Sequence, residues 1–366
     1  MFLAAILLIV ILGVLIFVHE LGHFLIAKKS GIRVDEFALG FPPRLFSFKK
    51  GETKYSINLI PFGGFVKIFG EDVDDESSDP NRTDSFLNKS KLTQAVVLSA
   101  GVLFNVFFGY VLISISLMAG FPSIITDRNS DWVSDARVVV SGVLPNSPAK
   151  MAGIEPGDSI LRVVKGGKTL GPEEITVSNI QNIIAGGEAG EVSLTLIRNG
   201  EERNVVVDTT PGIIADKQAI GISMEKIGTV KFPFFRALGE GIILTGQTIK
   251  EVAVGLARII GMAVTGRASL NDIAGPVGIV GLVNSARNFG FFYLLTFTAF
   301  ISLNLAVLNI LPLPALDGGR LLMILIEAIS RRKIKPAVAN WLNGIGFALL
   351  MLFMIAVTVN DILRLV

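Results

Sequence analysis

The sequence contains two histidines, and they stand four residues apart in Val18-His19-Glu20-Leu21-Gly22-His23. On a helix, positions i and i+4 share a face, so both imidazoles can hold one ion. Glu20 projects beside them and can take a proton from a water that such an ion has acidified. This is the H-E-x-x-H pattern of metal-assisted hydrolysis, in which the ion brings the pKa of bound water to about 7 and polarises a carbonyl. The preceding residues, Met1 to Val18, carry no charged or strongly polar side chain. Two imidazoles and a carboxylate at membrane depth are costly. That setting favours a metal site over two histidines merely satisfied within a core.

A catalytic zinc keeps three protein ligands and one open position. The chain has no further histidine and no cysteine, so the third ligand must be Asp or Glu. The absence of cysteine also excludes disulfides, thiolate zinc sites and a cysteine nucleophile. Asp317 is the favoured carboxylate. Pro312 and Pro314 break the helix ahead of it, and Gly318 and Gly319 let the backbone turn closely behind it. Broken helices are tolerated at membrane depth where they line a cavity. The alternative for Asp317 is a cap on a helix starting near Gly319. Glu327 and Asp361 are rival ligands, but neither has such a bend beside it.

These residues must be positioned by elements of unusual composition. The chain has 366 residues, is 51% hydrophobic and is 17% charged, against about 25% charged in an average soluble protein. Its mean hydropathy is +0.62. A membrane protein with at least one water-exposed domain fits these values. A net charge of +2 gives no argument for a nucleic-acid partner. Spanning a bilayer takes about 20 helical residues. Apolar stretches of that order place transmembrane helices at residues 1–27, 92–121, 289–329 (broken late by the two prolines) and 337–366. The first lacks a basic start and precedes Lys28 and Lys29, so it reads as a retained helix and not as a cleaved signal peptide. Lys28, Lys29 and Arg33 follow helix one, and Arg331, Arg332, Lys333 and Lys335 lie between helices three and four. Both loops should therefore be cytoplasmic, with the N-terminus and the segment between helices two and three outside.

Three further segments have their own character. Within residues 28–91, Tyr55 to Leu59 and Phe65 to Ile68 flank Gly63-Gly64 and read as a β-hairpin, apolar enough to dip toward the membrane. The acidic run at residues 71–79 reads as a solvated loop; calcium binding is the lesser alternative, because EF-hand spacing is missing. Residues 138–228 alternate short β-rich runs with glycine and proline turns and one helical piece at 177–185, as a small soluble α+β domain would. Residues 232–288 are helical and interrupted by charges, as in an amphipathic region on the membrane surface.

Together these motifs resemble the site-2 protease family of intramembrane zinc metalloproteases, specifically the bacterial regulators of sigma-E type often called RseP-like. The resemblance covers nearly the whole chain. It rests on His19, Glu20 and His23, on Asn309, Pro312, Pro314 and Asp317 with its two glycines, and on Gly101 and Asn105 in helix two. Residues 60–67 look like the family's membrane-reentrant β-loop, and Gly275-Pro276-Val277-Gly278-Ile279 is similar to a segment before its third helix. The resemblance implies that His19, His23 and Asp317 bind one catalytic Zn2+ and that Glu20 is the general base. It implies that Asn309 holds the substrate backbone or the oxyanion, a role that needs a preorganised donor. Residues 141–161 look like a PDZ domain, a module that can take an extended peptide as an added strand. One such unit is found, where proteobacterial members usually carry two, and Val102 stands where many relatives have proline.

The expected fold is a multi-pass α-helical membrane protein with four transmembrane helices, a membrane-associated β-hairpin and one inserted extracytoplasmic PDZ-like α+β domain. The expected activity is hydrolysis of peptide bonds within transmembrane segments of single-span substrates, such as anti-sigma factors or remnant signal peptides. The hairpin at Gly63 and Gly64 would offer a strand edge to an unwound substrate segment. Partners are transmembrane protein or peptide substrates, a peptide or substrate ectodomain at the PDZ-like domain, and the lipid bilayer. The expected location is the bacterial inner membrane, with the active site toward the cytoplasm. Two other classes compete. A divalent-metal transporter using the same ligands needs more polar residues along a path than the other spans offer. A non-catalytic PDZ scaffold leaves Glu20 beside both histidines unexplained.

Overall fold

The computed structural model describes residues 2–71, 82–124, 130–186, 188–198, 200–214, 217–267, 274–288, 290–332 and 334–364. Most of the acidic run, from residue 72, lies outside them, as does Lys333. Two compact units emerge, residues 1–115 with 238–366, and residues 116–237.

The first unit opens with α1 (Phe2–Lys29), which ends on Lys28 and Lys29, cations that suit the negative end of the helix dipole. Its buried stripe is Ala4, Leu8, Ile11, Leu15, His19, Gly22, His23 and Ala27, at three- and four-residue steps. The two histidines thus continue the apolar face that α1 turns inward. The next long helix, α2 (Lys91–Ala119), approaches α1 closely at Gly22, where a β-carbon would sit 2.6 Å from the Ala100 carbonyl oxygen. Small residues at such crossings let helix backbones meet without a solvent-driven hydrophobic force.

Between them, β1 (Val34–Lys50) and β2 (Thr53–Ile68) form a sheet that departs from the expected hairpin. Its turn is at Gly51-Glu52, where Gly51 takes φ +64°, and not at Gly63-Gly64. The pair at 63–64 lies inside β2. There the absence of side chains serves close approach: a β-carbon on Gly64 would sit 3.0 Å from Ala38 O, 3.2 Å from Ile16 Cγ2 and 3.3 Å from Glu20 Cγ. The register is doubled. Glu36 to Leu39 pair with Lys67 to Gly64 on one side and with Lys54 to Ile57 on the other, while Phe46 to Lys50 pair with Ile57 to Thr53. Four segments therefore lie side by side in the order 64–68, 34–39, 53–57 and 46–50. The outer edge of 64–68 has no strand partner among the described residues.

The second half of this unit is helical: α5 (Phe234–Val264), α6 (Pro276–Asn288), α7 (Phe291–Asn309), α8 (Asp317–Ser330) and α9 (Pro336–Leu363). The expected surface region at 232–288 is corrected in part. The α6 helix packs into the bundle: Val283, fully buried, clusters with Ala4 and Leu8 of α1, with Leu294 and Phe297 of α7 against them. Its N-terminus is held by Asp361 of α9, whose carboxylate accepts the N–H groups of Gly275 (3.3 Å) and Gly278 (2.7 Å). An anion is well placed at that end of a helix. The expected broken helix at 289–329 is two helices, α7 and α8, with residues 310–316 between them. Four helices of the described residues are long and apolar enough to cross a membrane: α1, α2, α7 and, over Ala337–Leu363, α9.

The second unit contains a seven-stranded sheet. Its elements are β3 (Phe121–Ile124), β4 (Val133–Val143), β5 (Ser159–Lys165), β6 (Lys168–Leu170), β7 (Glu191–Arg198), β8 (Glu201–Asp208) and β11 (Ile222–Val230), ordered β3-β11-β4-β5-β7-β8 with β6 on β5. A small ribbon, β9 (Thr210–Ile214) with β10 (Lys217–Ala219), and two helices complete it. The short α3 (Pro148–Met151) is capped by Ser147 and α4 (Val177–Ala185) by Thr176. The core is aliphatic, with Val138, Ile154, Ile180 and Leu194 fully buried. Buried Asp158 pairs with Arg198 Nε at 2.6 Å and Nη2 at 2.7 Å, and the buried Lys165 ammonium donates to the Ile184 and Gly186 carbonyls at the end of α4, each at 2.8 Å.

Candidate active site

Three ligand atoms converge in the first unit. His19 Nε2 and His23 Nε2 are 3.2 Å apart, and Asp317 Oδ2 lies 3.0 Å from the first and 3.3 Å from the second. Both imidazoles are buried on the inward stripe of α1. The carboxylate arrives from the first residue of α8, so Asp317 begins that helix and does not precede one starting near Gly319. The bend that delivers it is tightly made. Ala315 takes φ +73°, its N–H donates to Asn343 Oδ1 of α9 at 3.3 Å, and a β-carbon on Gly346 of α9 would meet the Pro314 carbonyl oxygen at 2.6 Å. Gly318 and Gly319 are buried, with the carbonyls of Ile310, Leu311 and Leu313 occupying the space where side chains would go. Pro312 and Pro314 thus shape a connection that only glycine can follow.

The donor set fits a tetrahedral divalent ion. Bonds of about 2.0–2.1 Å subtend ligand–ligand edges of about 3.3 Å in a tetrahedron, and the triangle here has sides of 3.0, 3.2 and 3.3 Å. His23 Nδ1–H donates to the Val97 carbonyl at 2.9 Å, which leaves Nε2 a lone pair. Asp317 Oδ2 is buried with no hydrogen-bond donor to satisfy it. A lone pair on His23, the facing ring nitrogen of His19 and an unsatisfied carboxylate oxygen converge on one point, a donor set that suits a cation.

Glu20 borders the same space. With His23, Gly64, Val66, Asp317 and Arg320 it lines a cavity of about 580 Å³. The Val66 N–H, on the outer edge of β2, donates to the Glu20 carboxylate. Arg320, one turn beyond Asp317, donates to Glu71, and both reach the cavity. A carboxylate beside a metal position, opening to a cavity with a free strand edge, can move a proton while an extended peptide is held next to it.

The remaining expected residues are placed as follows. Gly101 and Asn105 of α2 face the histidines: a β-carbon on Gly101 would sit 2.7 Å from His19 Cε1, and the Asn105 amide is 3.4 Å from His19 Nδ1. Gly64 lines the cavity; Gly63, at φ +126°, packs under the Phe41 ring. Asn309 ends α7, half-buried, and is not among the residues lining the cavity. The rival carboxylates are engaged elsewhere: Glu327 with Lys91 and the Ile334 N–H, Asp361 with α6. Sequence reasoning missed Val66, Val97 and Arg320. The first two act through backbone atoms, which leave no residue signature. Arg320 had one, a second charge three residues after Asp317 in a segment expected to lie in the membrane.

The chain is similar to known metallopeptidases along most of its length. Residues 7–353 match the family model described as Peptidase family M50. A Clostridium perfringens protein carried under the name of a zinc metalloprotease is 35% identical over 351 residues, 95% of each chain. The zinc metalloprotease RasP of Geobacillus kaustophilus is 31% identical over 436 aligned positions, 97% of this chain and 96% of the relative. The RasP of Bacillus licheniformis is 30% identical over 98% of each.

Proposed function

The chain belongs to peptidase family M50, the site-2 proteases, and on that footing we propose that it is an intramembrane zinc metalloprotease whose ion is held by His19, His23 and Asp317, with Glu20 as general base. The observation that carries the ligand assignment is the triangle of 3.0, 3.2 and 3.3 Å among three otherwise unpaired ligand atoms. When bound, zinc supplies Lewis acidity: it makes water a nucleophile near neutral pH and polarises the scissile carbonyl. Glu20 accepts the proton of the attacking water and returns it to the leaving amine. The Val66 N–H keeps the Glu20 carboxylate aimed at the cavity.

The substrate is a segment within the membrane, and a helical segment hides its carbonyls in its own hydrogen bonds. It must be unwound and held. The outer edge of residues 64–68 is suited to take it as an added strand along the cavity. Phe41, Leu45, Phe46, Phe48, Ile57, Leu59 and Ile60 of the same sheet are exposed, which supports a sheet seated against lipid. Asn309 is the proposed donor to substrate backbone or oxyanion, which requires that substrate reach the end of α7. Single-span proteins, anti-sigma factors or remnant signal peptides, are the proposed substrates. The protein is an integral membrane protein; the basic residues after α1 and after α8 support a bacterial inner-membrane orientation with the site toward the cytoplasm.

The second unit is proposed to be a PDZ-like domain outside the cytoplasm. A cavity of about 470 Å³ beside α4 and β11, lined by Ile184, Ala185, Ile220, Ile222 and Met224, supports peptide capture there. The deciding experiment is cleavage of a reconstituted single-span substrate by the wild type and by Glu20→Gln. The variant should retain zinc and lose cleavage. Wild-type cleavage by the zinc-loaded variant would refute the mechanism.

A further inference from the structure

The α2 helix presents Val97, Gly101 and Asn105 to the two histidines at four-residue steps, on one face. The first two serve the rings directly. The Val97 carbonyl holds His23 Nδ1–H, and Gly101 leaves room for both imidazoles. Asn105 completes the row. Its side chain is 1% exposed, its amide nitrogen lies 3.4 Å from His19 Nδ1, and its amide oxygen is buried with no donor. Its own carbonyl accepts from Ser302 Oγ of α7 at 2.8 Å, which fixes the residue in place.

The two ends of a carboxamide are assigned from their hydrogen bonds, because N and O have nearly the same shape. Each orientation of Asn105 selects one tautomer of His19. With the nitrogen toward the ring, Nδ1 must be the acceptor and the proton sits on Nε2, pointing at Asp317 and blocking a metal. With the amide turned over, Oδ1 takes the Nδ1–H and Nε2 becomes a lone pair, matching what Val97 already does for His23. The turn also gives the orphaned amide oxygen its donor. We infer that Asn105 is the positioning residue for His19, presenting its amide oxygen to Nδ1–H so that Nε2 faces the metal position. The α2 helix thereby orients both imidazoles, one through a backbone carbonyl and one through a side chain.

This inference rests on His19 being a ligand, and its test separates the two claims. The zinc dissociation constant is measured by chelator competition on the full chain in detergent, together with the thermal midpoint of the metal-free protein. The variants are Asn105→Leu, Asn105→Ala, Asn105→Asp and His19→Ala. Loss of an orienting partner of a metal-bound histidine weakens affinity by about 10–100-fold. That loss is expected for Asn105→Leu with no fall in the metal-free midpoint, and Asn105→Ala gives the same reading should the leucine fail to fold. Asn105→Asp keeps the acceptor and should restore affinity to near wild type. Wild-type zinc affinity in the leucine or alanine variant overturns the inference. So does equal loss in the aspartate variant. If His19→Ala binds zinc as the wild type does, the ligand reading itself fails.

Discussion

Replacing Gly101 by alanine should expel the metal without unfolding the protein. A β-carbon there would sit 2.7 Å from His19 Cε1 and 2.9 Å from His19 Nδ1, and closer still to His23 Nε2. Non-bonded heavy atoms settle at about 3.5–4.0 Å, so each ring must retreat by roughly 0.7 Å or more. Metal sites need their ligands held to within about 0.5 Å. The imidazoles cannot give way easily, because Val97 holds one and buried neighbours enclose both. The expected loss in zinc affinity is therefore at least about 10–100-fold. The helix itself gains, since alanine is favoured over glycine in a helix interior by about 1 kcal/mol. The two effects have opposite signs, which makes the experiment discriminating. Gly13→Ala in α1 is the control: nothing lies within 4 Å of its added carbon, so it should keep zinc and cleavage. The assays are metal content after dialysis, chelator competition and the melting midpoint of the metal-free protein. Wild-type zinc affinity in Gly101→Ala would refute the packing argument.

Two substitutions test the supports of the two units. Asp361→Leu removes both acceptors from the N-terminus of α6; leaving buried N–H groups unsatisfied should cost about 1–3 kcal/mol, and an unchanged melting midpoint of the detergent-solubilised chain would show that the clamp carries no stability. Lys165→Met frees the Ile184 and Gly186 carbonyls at the end of α4, so amide hydrogen exchange across residues 177–185 should accelerate while zinc content stays at the wild-type level; unaltered exchange would count against the cap.

How far sequence alone reaches depends on whether a feature is local. The shared face of His19 and His23 is a property of helix pitch, and it can be read directly. The span of α1 follows from an unbroken apolar run. The association of Asp317 with residues almost three hundred positions earlier has no local signature and comes from elimination and resemblance. Gly63-Gly64 reads as a turn because glycine marks two different things, a backbone that must bend and a backbone that must be approached. Here β2 continues through the pair, and Ala38, Ile16 and Glu20 occupy the space a side chain would need. The α6 helix falls within residues 232–288, which read as a surface region because Glu240, Lys250, Glu251 and Arg258 interrupt the apolar helical run ahead of it; what pulls α6 inward is Val283 against α1 and a carboxylate from α9 at its start. Such a clamp links residues 275 and 361, and no periodicity within α6 could announce it.

The choice among carboxylates turns on what each is already doing. Glu327 accepts from Lys91 and from the Ile334 N–H, Asp361 from two backbone N–H groups, and Glu71 from Arg320. Each of those charges is matched where it stands. Among the described residues, Asp317 Oδ2 is the one carboxylate oxygen that is buried without a donor. A divalent cation suits that position, where the two imidazole nitrogens complete a donor set. With Nδ1–H of His23 committed to the Val97 carbonyl, its Nε2 keeps a lone pair beside Asp317 Oδ2. A single divalent ion, held as proposed by His19, His23 and Asp317, would meet the carboxylate and both imidazoles at once. The engagement of the other carboxylates therefore singles out Asp317 as the proposed third ligand, independently of any motif.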